Sequence, residues 1–271
     1  MGTFFEAFLC GEDSAFLDDV VELLWDELLR IERILSRFDP AGEVYRLNSR
    51  GEIATHRVTR ELVAILQACQ EHRRLTDGNF DVAIGAGRSE PYSLDADRGT
   101  ITFAHSDVQL DLGAYGKGYA LDRLNEMLGE HRVHSALLSA GRTSIVARGG
   151  GPDGSPWQVA IAHPDAKDGG VPLPLRDSAL ACASVFDQGQ TVSDIIDPRT
   201  GQRLTTQAMC VILDPSAAAA QSLLTTCLVM GEEQAKTWAR NRQCHAGVGF
   251  VHEADGKTVI TWPNPAPARQ A

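Results

Sequence analysis

The chain has 271 residues, of which 43% are apolar and 23% charged, ordinary globular proportions that argue against long disorder. With 25 basic against 36 acidic residues its formal charge is −11, a field that repels nucleic acid and anionic membranes, so neither is an expected partner. The same field requires a local positive site, or a metal, before any anionic ligand settles.

Met1–Cys10 lack a basic stretch, a long apolar run and a small-residue cleavage site, so the chain as written reads as cytoplasmic. Ser14 to Leu35 predicts an amphipathic helix with Leu17, Val20, Val21, Leu24, Leu28, Ile31 and Leu35 on one stripe and Ser14 as its cap. Thr59 to Leu75 predicts a second, with Leu62, Ile65, Leu66 and Cys69 buried, ended by an Asp77-Gly78 turn. Thr100–Asp111 reads as a hairpin-like pair of strands leading into a glycine-rich turn and a helix from Gly118 to Leu128, closed by Gly129.

Strand patterns follow at Ala136–Leu138, Thr143–Ala147, Trp157–Ala162, Val192–Ile196 and Ala208–Leu213. A helix from Ser216 to Met230 comes next, with strands at Gly247–His252 and Thr258–Trp262. Gly149–Ser155 and Lys167–Pro174 read as surface loops, and Pro263–Ala271 as a frayed tail. Strands and helices do not alternate regularly, which favours an α+β fold over a Rossmann sheet. No apolar run reaches the length of about 18 residues that a transmembrane helix needs. The six cysteines show no zinc spacing and read as buried thiols.

Four segments carry candidate chemistry. Asp111 to Asp122 ends a strand, bends through glycines around Lys117 and begins a helix, so free amides and an ammonium suit a phosphate there; a plain structural turn fits equally. Gln221 and Thr225 stand four apart on the late helix, with oxygens on one face that suit either a cation or solvent. Asp194 and Asp197 in Asp194-Ile-Ile-Asp-Pro-Arg-Thr-Gly201 permit acid/base work, while Asp197 equally suits capping a turn. Thr76-Asp-Gly-Asn-Phe-Asp81 is a capped turn or a ligand loop.

Together, in this order, these segments resemble the FAD:protein FMN transferase (ApbE-type) family. Its pattern is matched by Met1-Gly-Thr3, Leu35-Ser-Arg-Phe38 with Glu43 and Leu47-Asn48, Thr76–Asp81, Asp111–Asp122, Ile195–Gly201 and Thr225–Gly231. The resemblance implies a single α+β domain over residues 1–262, with mostly antiparallel sheets flanked by helices and a cleft between two lobes. It implies FAD as substrate, Mg²⁺-assisted cleavage of its pyrophosphate, passage of FMN to a threonine or serine hydroxyl of an acceptor flavoprotein, and departure of AMP. Carried over by position, Lys117 and Asp194 are the catalytic candidates. Met1, Thr76, Gly78, Asp81, Gly116, Lys117, Gly118, Asp122, Gly141, Arg142 and Asp197 are the cofactor-binding candidates, and Thr225, Gln221 and the Ala114 carbonyl the metal candidates.

The chain departs from the family pattern where chemistry is concentrated. The metal-binding aspartate is Gln221, the histidine before the Ile-Ile-Asp-Pro stretch is Asp194, the loop before it reads Cys182-Ala-Ser-Val-Phe186, and the double glycine reads Ala140-Gly141-Arg142. Loss of a carboxylate weakens a magnesium site. An aspartate of ordinary pKa, about 3.9, is a weak base at neutral pH, while Arg142 is a fixed cation that can contact phosphate directly. The alternatives are therefore a catalytically impaired FAD-binding carrier or regulatory protein of the same fold, and a pyrophosphatase in which water replaces the acceptor.

Overall fold

The structure is a computed structural model that describes residues 3–50, 53–84, 90–185, 195–205, 208–241 and 246–263. Its first half runs β1 (Phe5–Cys10), α1 (Ser14–Leu35), α2 (Glu43–Asn48), β2 (Thr55–Arg57), α3 (Arg60–Leu75), β3 (Ala83–Ile84), β4 (Tyr92–Asp95), β5 (Thr100–Phe103), β6 (Gln109–Leu110) and α4 (Gly116–Glu130). The second half runs β7 (Ser135–Ala140), β8 (Ser144–Arg148), β9 (Trp157–Ile161), β10 (Val171–Leu175), β11 (Ser178–Val185), β12 (Ala208–Asp214), α5 (Ala217–Met230), α6 (Glu232–Asn241), β13 (Gly247–Ala254) and β14 (Lys257–Thr261).

A seven-stranded sheet in the order β1-β7-β8-β11-β12-β13-β14 forms the floor of the molecule. All its pairings are antiparallel, in keeping with the α+β expectation. One face packs on α5, where Ala181, Cys210, Ile212 and Val248 meet Leu224, Cys227 and Leu228. The other face packs on the β9–β10 hairpin, where Ala147, Leu180 and Val211 meet Ile161 and Leu175. A second core joins α1, α2 and α3 to the small sheets β2-β5-β4 and β3-β6 through Ile31, Leu62, Leu66, Phe80, Ile101 and Leu110. Among the described residues no helix is long and apolar enough to cross a membrane.

Helix α5 reads Ala-Ala-Ala-Ala-Gln-Ser-Leu-Leu-Thr-Thr-Cys-Leu-Val-Met and is buried on nearly its whole circumference, as a helix apolar on every side must be. Its first turn lies so close to α4 that a Cβ on Gly118 would run into the backbone of Ala217 and Ala218. Gly118 is therefore required for helix packing, whatever else the glycine-rich turn does. His72 of α3 meets the same helix through the Ser222 hydroxyl at 2.9 Å.

Several sequence expectations shift in the structure. Helix α1 has the expected bounds, but Asp13 caps it by accepting the Phe16 amide hydrogen bond at 3.1 Å, with Ser14 already inside the helix. The two strands within 100–111 do not form a hairpin: β5 pairs with β2 and β4, and β6 with β3. Helix α4 runs past Gly129 to Glu130, and a Cβ on Gly129 would instead meet the Arg148 guanidinium. That guanidinium donates to the Val133 and Asn125 carbonyls.

Half of the supposed loop Lys167–Pro174 is strand β10, and Cys182 to Val185 belong to the central strand β11. Val192–Asp194 lie outside the described residues, and Ile196 makes only an isolated bridge to Arg203. Strands β1, β2, β3, β4 and β11 and the helices α2 and α6 have no counterpart among the elements expected from the sequence.

Gly118→Ala is expected to lower the unfolding free energy by about 1–3 kcal/mol, the usual cost of overpacking. Urea denaturation measures it, and an unchanged midpoint would contradict the close approach of α4 and α5.

Candidate functional site

The turn from strand β6 into α4 is fixed by its own chain. Asp111 accepts the Gly113 amide hydrogen bond at 2.8 Å, and its second oxygen faces the Arg37 guanidinium at 3.2 Å. The Tyr115 and Gly116 amides both donate to the Leu112 carbonyl, at 3.0 and 2.6 Å. Gly118 donates to the Gln221 side-chain oxygen at 2.8 Å. The amides of residues 113, 115, 116 and 118 are thus taken up inside the protein, where the sequence suggested free donors for a phosphate. Beside these engaged amides the turn carries the Lys117 ammonium.

Lys117 donates to the Thr143 hydroxyl at 3.1 Å, and among the described residues its ammonium forms no ion pair. Burial pushes its pKa down from the usual lysine value, because a desolvated ammonium lacks the water that stabilises its charge. Thr143 closes the turn between β7 and β8, and its carbonyl accepts from the Cys182 amide at 2.8 Å.

The same turn carries Gly141 at φ 61° and the exposed Arg142 at φ 58°. The left-handed conformation suits glycine at 141, and a Cβ there would strike the Thr3 hydroxyl. The Gly141 amide also donates to the Phe4 carbonyl at 2.8 Å. The structure therefore brings Lys117, Gly141 and Arg142 to one corner of the molecule, alongside Thr3. A partly desolvated ammonium held by a neutral hydroxyl, next to a turn that carries an exposed arginine, suits an anion such as phosphate.

The candidate metal residues also converge, but in the wrong chemical form. The Gln221 nitrogen donates to the Gly113 carbonyl at 3.1 Å while its oxygen accepts from Gly118. This orientation is forced, since an amide N–H can only donate and a carbonyl can only accept. A nitrogen donor therefore occupies the direction in which the Gly113 oxygen would reach a cation. Thr225 donates its hydroxyl to the Gln221 main-chain carbonyl at 3.3 Å, and Ala114 follows Gly113 in the same turn. Mg²⁺ prefers hard oxygen donors with carboxylate charge, and this set does not fit it. Among the described residues no cluster of His, Cys, Asp or Glu suits a metal ion.

The remaining candidates hold the scaffold. Asp122 accepts from the Ser216 hydroxyl at 2.7 Å and from the Ala217 and Ala218 amides at 2.7 and 3.0 Å, so it caps α5 from the neighbouring helix. Burial pushes its carboxyl pKa up, and these hydrogen bonds offset only part of that rise.

Thr76 is fully buried, donates to the His72 carbonyl at 2.8 Å and accepts from Phe80 at 3.2 Å. Gly78 at φ 75° lets that turn close. Asp81 pairs with Arg73 at 2.7 Å and accepts from Ala83 at 2.9 Å, and burial pushes its pKa up. Asp197 accepts from the backbone and side chain of Arg199, which holds its pKa low. These are the turn-capping roles that residue type alone allowed. Gly116 packs against Leu35. Met1 and Asp194 lie outside the described residues.

Two participants escaped the sequence reading. Thr143 stands one residue beyond the Ala140-Gly141-Arg142 turn and becomes significant only once Lys117 reaches it. His72 contacts Ser222, Phe80 and Tyr115, and so ties α3 to the glycine–lysine turn and to α5.

A family model described as the ApbE family matches residues 1–248. The chain belongs to that family. It is similar to the FAD:protein FMN transferase of Escherichia coli (strain K12), 23% identical, over 98% of this chain and 85% of that protein. The enzyme of the same name from Rhodobacter capsulatus is 28% identical over 88% of this chain and 51% of its own length. Among solved structures, the flavin transferase ApbE from Vibrio cholerae superposes with a TM-score of 0.80 at 22% identity, covering 97% of this chain and 94% of that one. That likeness establishes the ApbE-type fold.

Burial lowers the His72 pKa from its usual 6.5, so the folded imidazole resists the proton that the unfolded one accepts. Its contribution to stability is therefore complete above the unfolded value of 6.5 and is lost as pH falls from there through the lowered folded value. Urea unfolding at a series of pH values is expected to show a declining midpoint below neutrality, with a shallower decline in His72→Asn. Equal slopes in the two proteins would refute this assignment.

Proposed function

We propose that this ApbE-family chain transfers FMN from FAD to a threonine or serine hydroxyl of an acceptor flavoprotein, releasing AMP. The observation that carries this reading is the Lys117 ammonium, half-buried and held by Thr143 beside the Gly141–Arg142 turn. The FAD pyrophosphate lies against Lys117 and Arg142, which neutralise its charge. The acceptor oxygen bonds to the FMN phosphorus, the phosphoanhydride bond breaks, and AMP leaves with the bridging oxygen. Asp194 takes the hydroxyl proton. The magnesium that the resemblance implies meets a hydrogen-bonded amide at Gln221, so no step is routed through it.

Thr76, Asp81, Asp122 and Asp197 shape the scaffold around the nucleotide in this reading, since their polar atoms are engaged internally. The Gln221 amide also favours a second reading, in which the fold binds FAD as a carrier without cleaving it. Release of AMP in the presence of a threonine-bearing acceptor separates the two.

Incubation of the pure protein with FAD and an acceptor is expected to yield AMP and a flavin-labelled acceptor. Lys117→Ala should abolish both and weaken FAD binding by roughly tenfold or more, the loss of one charge-assisted contact. Asp194→Asn should slow transfer by about 10²–10⁴-fold while leaving FAD affinity close to wild type. FAD binding with no AMP from the wild type would leave the carrier reading in its place. Absence of any flavin binding would end both.

A further inference from the structure

Gln221 is buried, lies in α5, and spans the turn between Gly113 and Gly118 with both ends of its amide. Between a carboxylate and the Gly113 carbonyl, two oxygens would face each other, and a cation would be needed to hold them together. A primary amide removes that need, because its N–H replaces the cation as the positive partner of the carbonyl. We propose that Gln221 is a positioning residue that clamps the 113–118 turn by hydrogen bonds alone, so that the protein holds its flavin-nucleotide loop without a divalent metal.

The inference rests on reading that turn as the nucleotide loop, but the clamp itself is a property of the free protein. With the clamp in place, Lys117 is held at Thr143 in the absence of any ion, and the phosphate charge falls to Lys117 and Arg142. The Thr225 hydroxyl, one turn along α5, donates to the Gln221 main-chain carbonyl and takes no part in the clamp.

The near-isosteric Gln221→Glu keeps the acceptor for the Gly118 amide and places an anionic oxygen opposite the Gly113 carbonyl. Thermal unfolding of the free protein in EDTA is expected to show a Tm lowered by roughly 3–8 °C in this variant, the cost of one unsatisfied buried contact. Mg²⁺ should restore that Tm in the variant and leave the wild-type Tm unchanged. Gln221→Leu should lose stability equally with and without Mg²⁺, and it serves as the second variant if Gln221→Glu does not fold.

In parallel, Mn²⁺ titration followed by electron paramagnetic resonance is expected to find no stoichiometric site in wild-type protein. FAD affinity, read from flavin fluorescence, is expected to be the same in EDTA and in Mg²⁺. One tightly held Mn²⁺ per wild-type chain, or FAD binding that collapses in EDTA, would overturn the metal-free clamp while leaving the flavin reading intact. A chain that binds no flavin yet follows the expected Tm pattern would uphold the clamp and remove the proposed function instead.

Discussion

Backbone meets backbone where α4 crosses the start of α5, and most of what the site can do follows from that contact. With no Cβ at Gly118, the first turn of α4 comes within touching distance of Ala217 and Ala218. At that range the side chain of Gln221 reaches the Gly118 amide on one side and the Gly113 carbonyl on the other. Asp122, one turn along α4, accepts from the buried first-turn amides of α5 in return. The two helices are thereby joined by reciprocal polar bonds and not only by apolar packing. In a close-packed interior such bonds fix orientation more sharply than dispersion does.

That fixed orientation sets Lys117. It lies between Gly116, pressed on Leu35, and Gly118, pressed on α5, so its backbone has little freedom and its side chain is directed to Thr143. Thr143 is itself held by the antiparallel pairing of β8 with β7 and β11. Sheet and helix layers thus converge on one ammonium, and the Gly141–Arg142 turn is brought beside it by the same strands.

Much of the scaffold was legible in the sequence because its signals are local. The stripe from Leu17 to Leu35 marked α1, although Val21 within it is exposed, and Ser216 before the apolar run located the start of α5. Strand β11 was missed because it is central: Ala179, Leu180, Ala181 and Cys182 are all buried, so no alternation of apolar and polar residues marks it. Helix α6 is short, with only Ala235 and Ala239 buried, and offers little stripe to detect.

The order of motifs led to the ApbE family, but the partners of the candidate site residues were not legible. Asp122 and Ser216 are 94 residues apart, and Gly118 and Gln221 are 103 apart. No local pattern announces such partners. Residues that read as ligands for a nucleotide or a metal turned out to be engaged with each other.

The cap that Asp122 places on α5 has a consequence for how a charged ligand approaches. The amide end of a helix attracts anions, and here an internal carboxylate already cancels that attraction at the centre of the molecule. On a chain whose net charge is −11, that cap leaves the Lys117 ammonium, which forms no ion pair among the described residues, and the exposed Arg142 as the cations that the proposed phosphate contact calls on. For the proposed nucleotide, this distribution of charge favours an approach with the phosphates leading, which the shape of the fold alone would not impose.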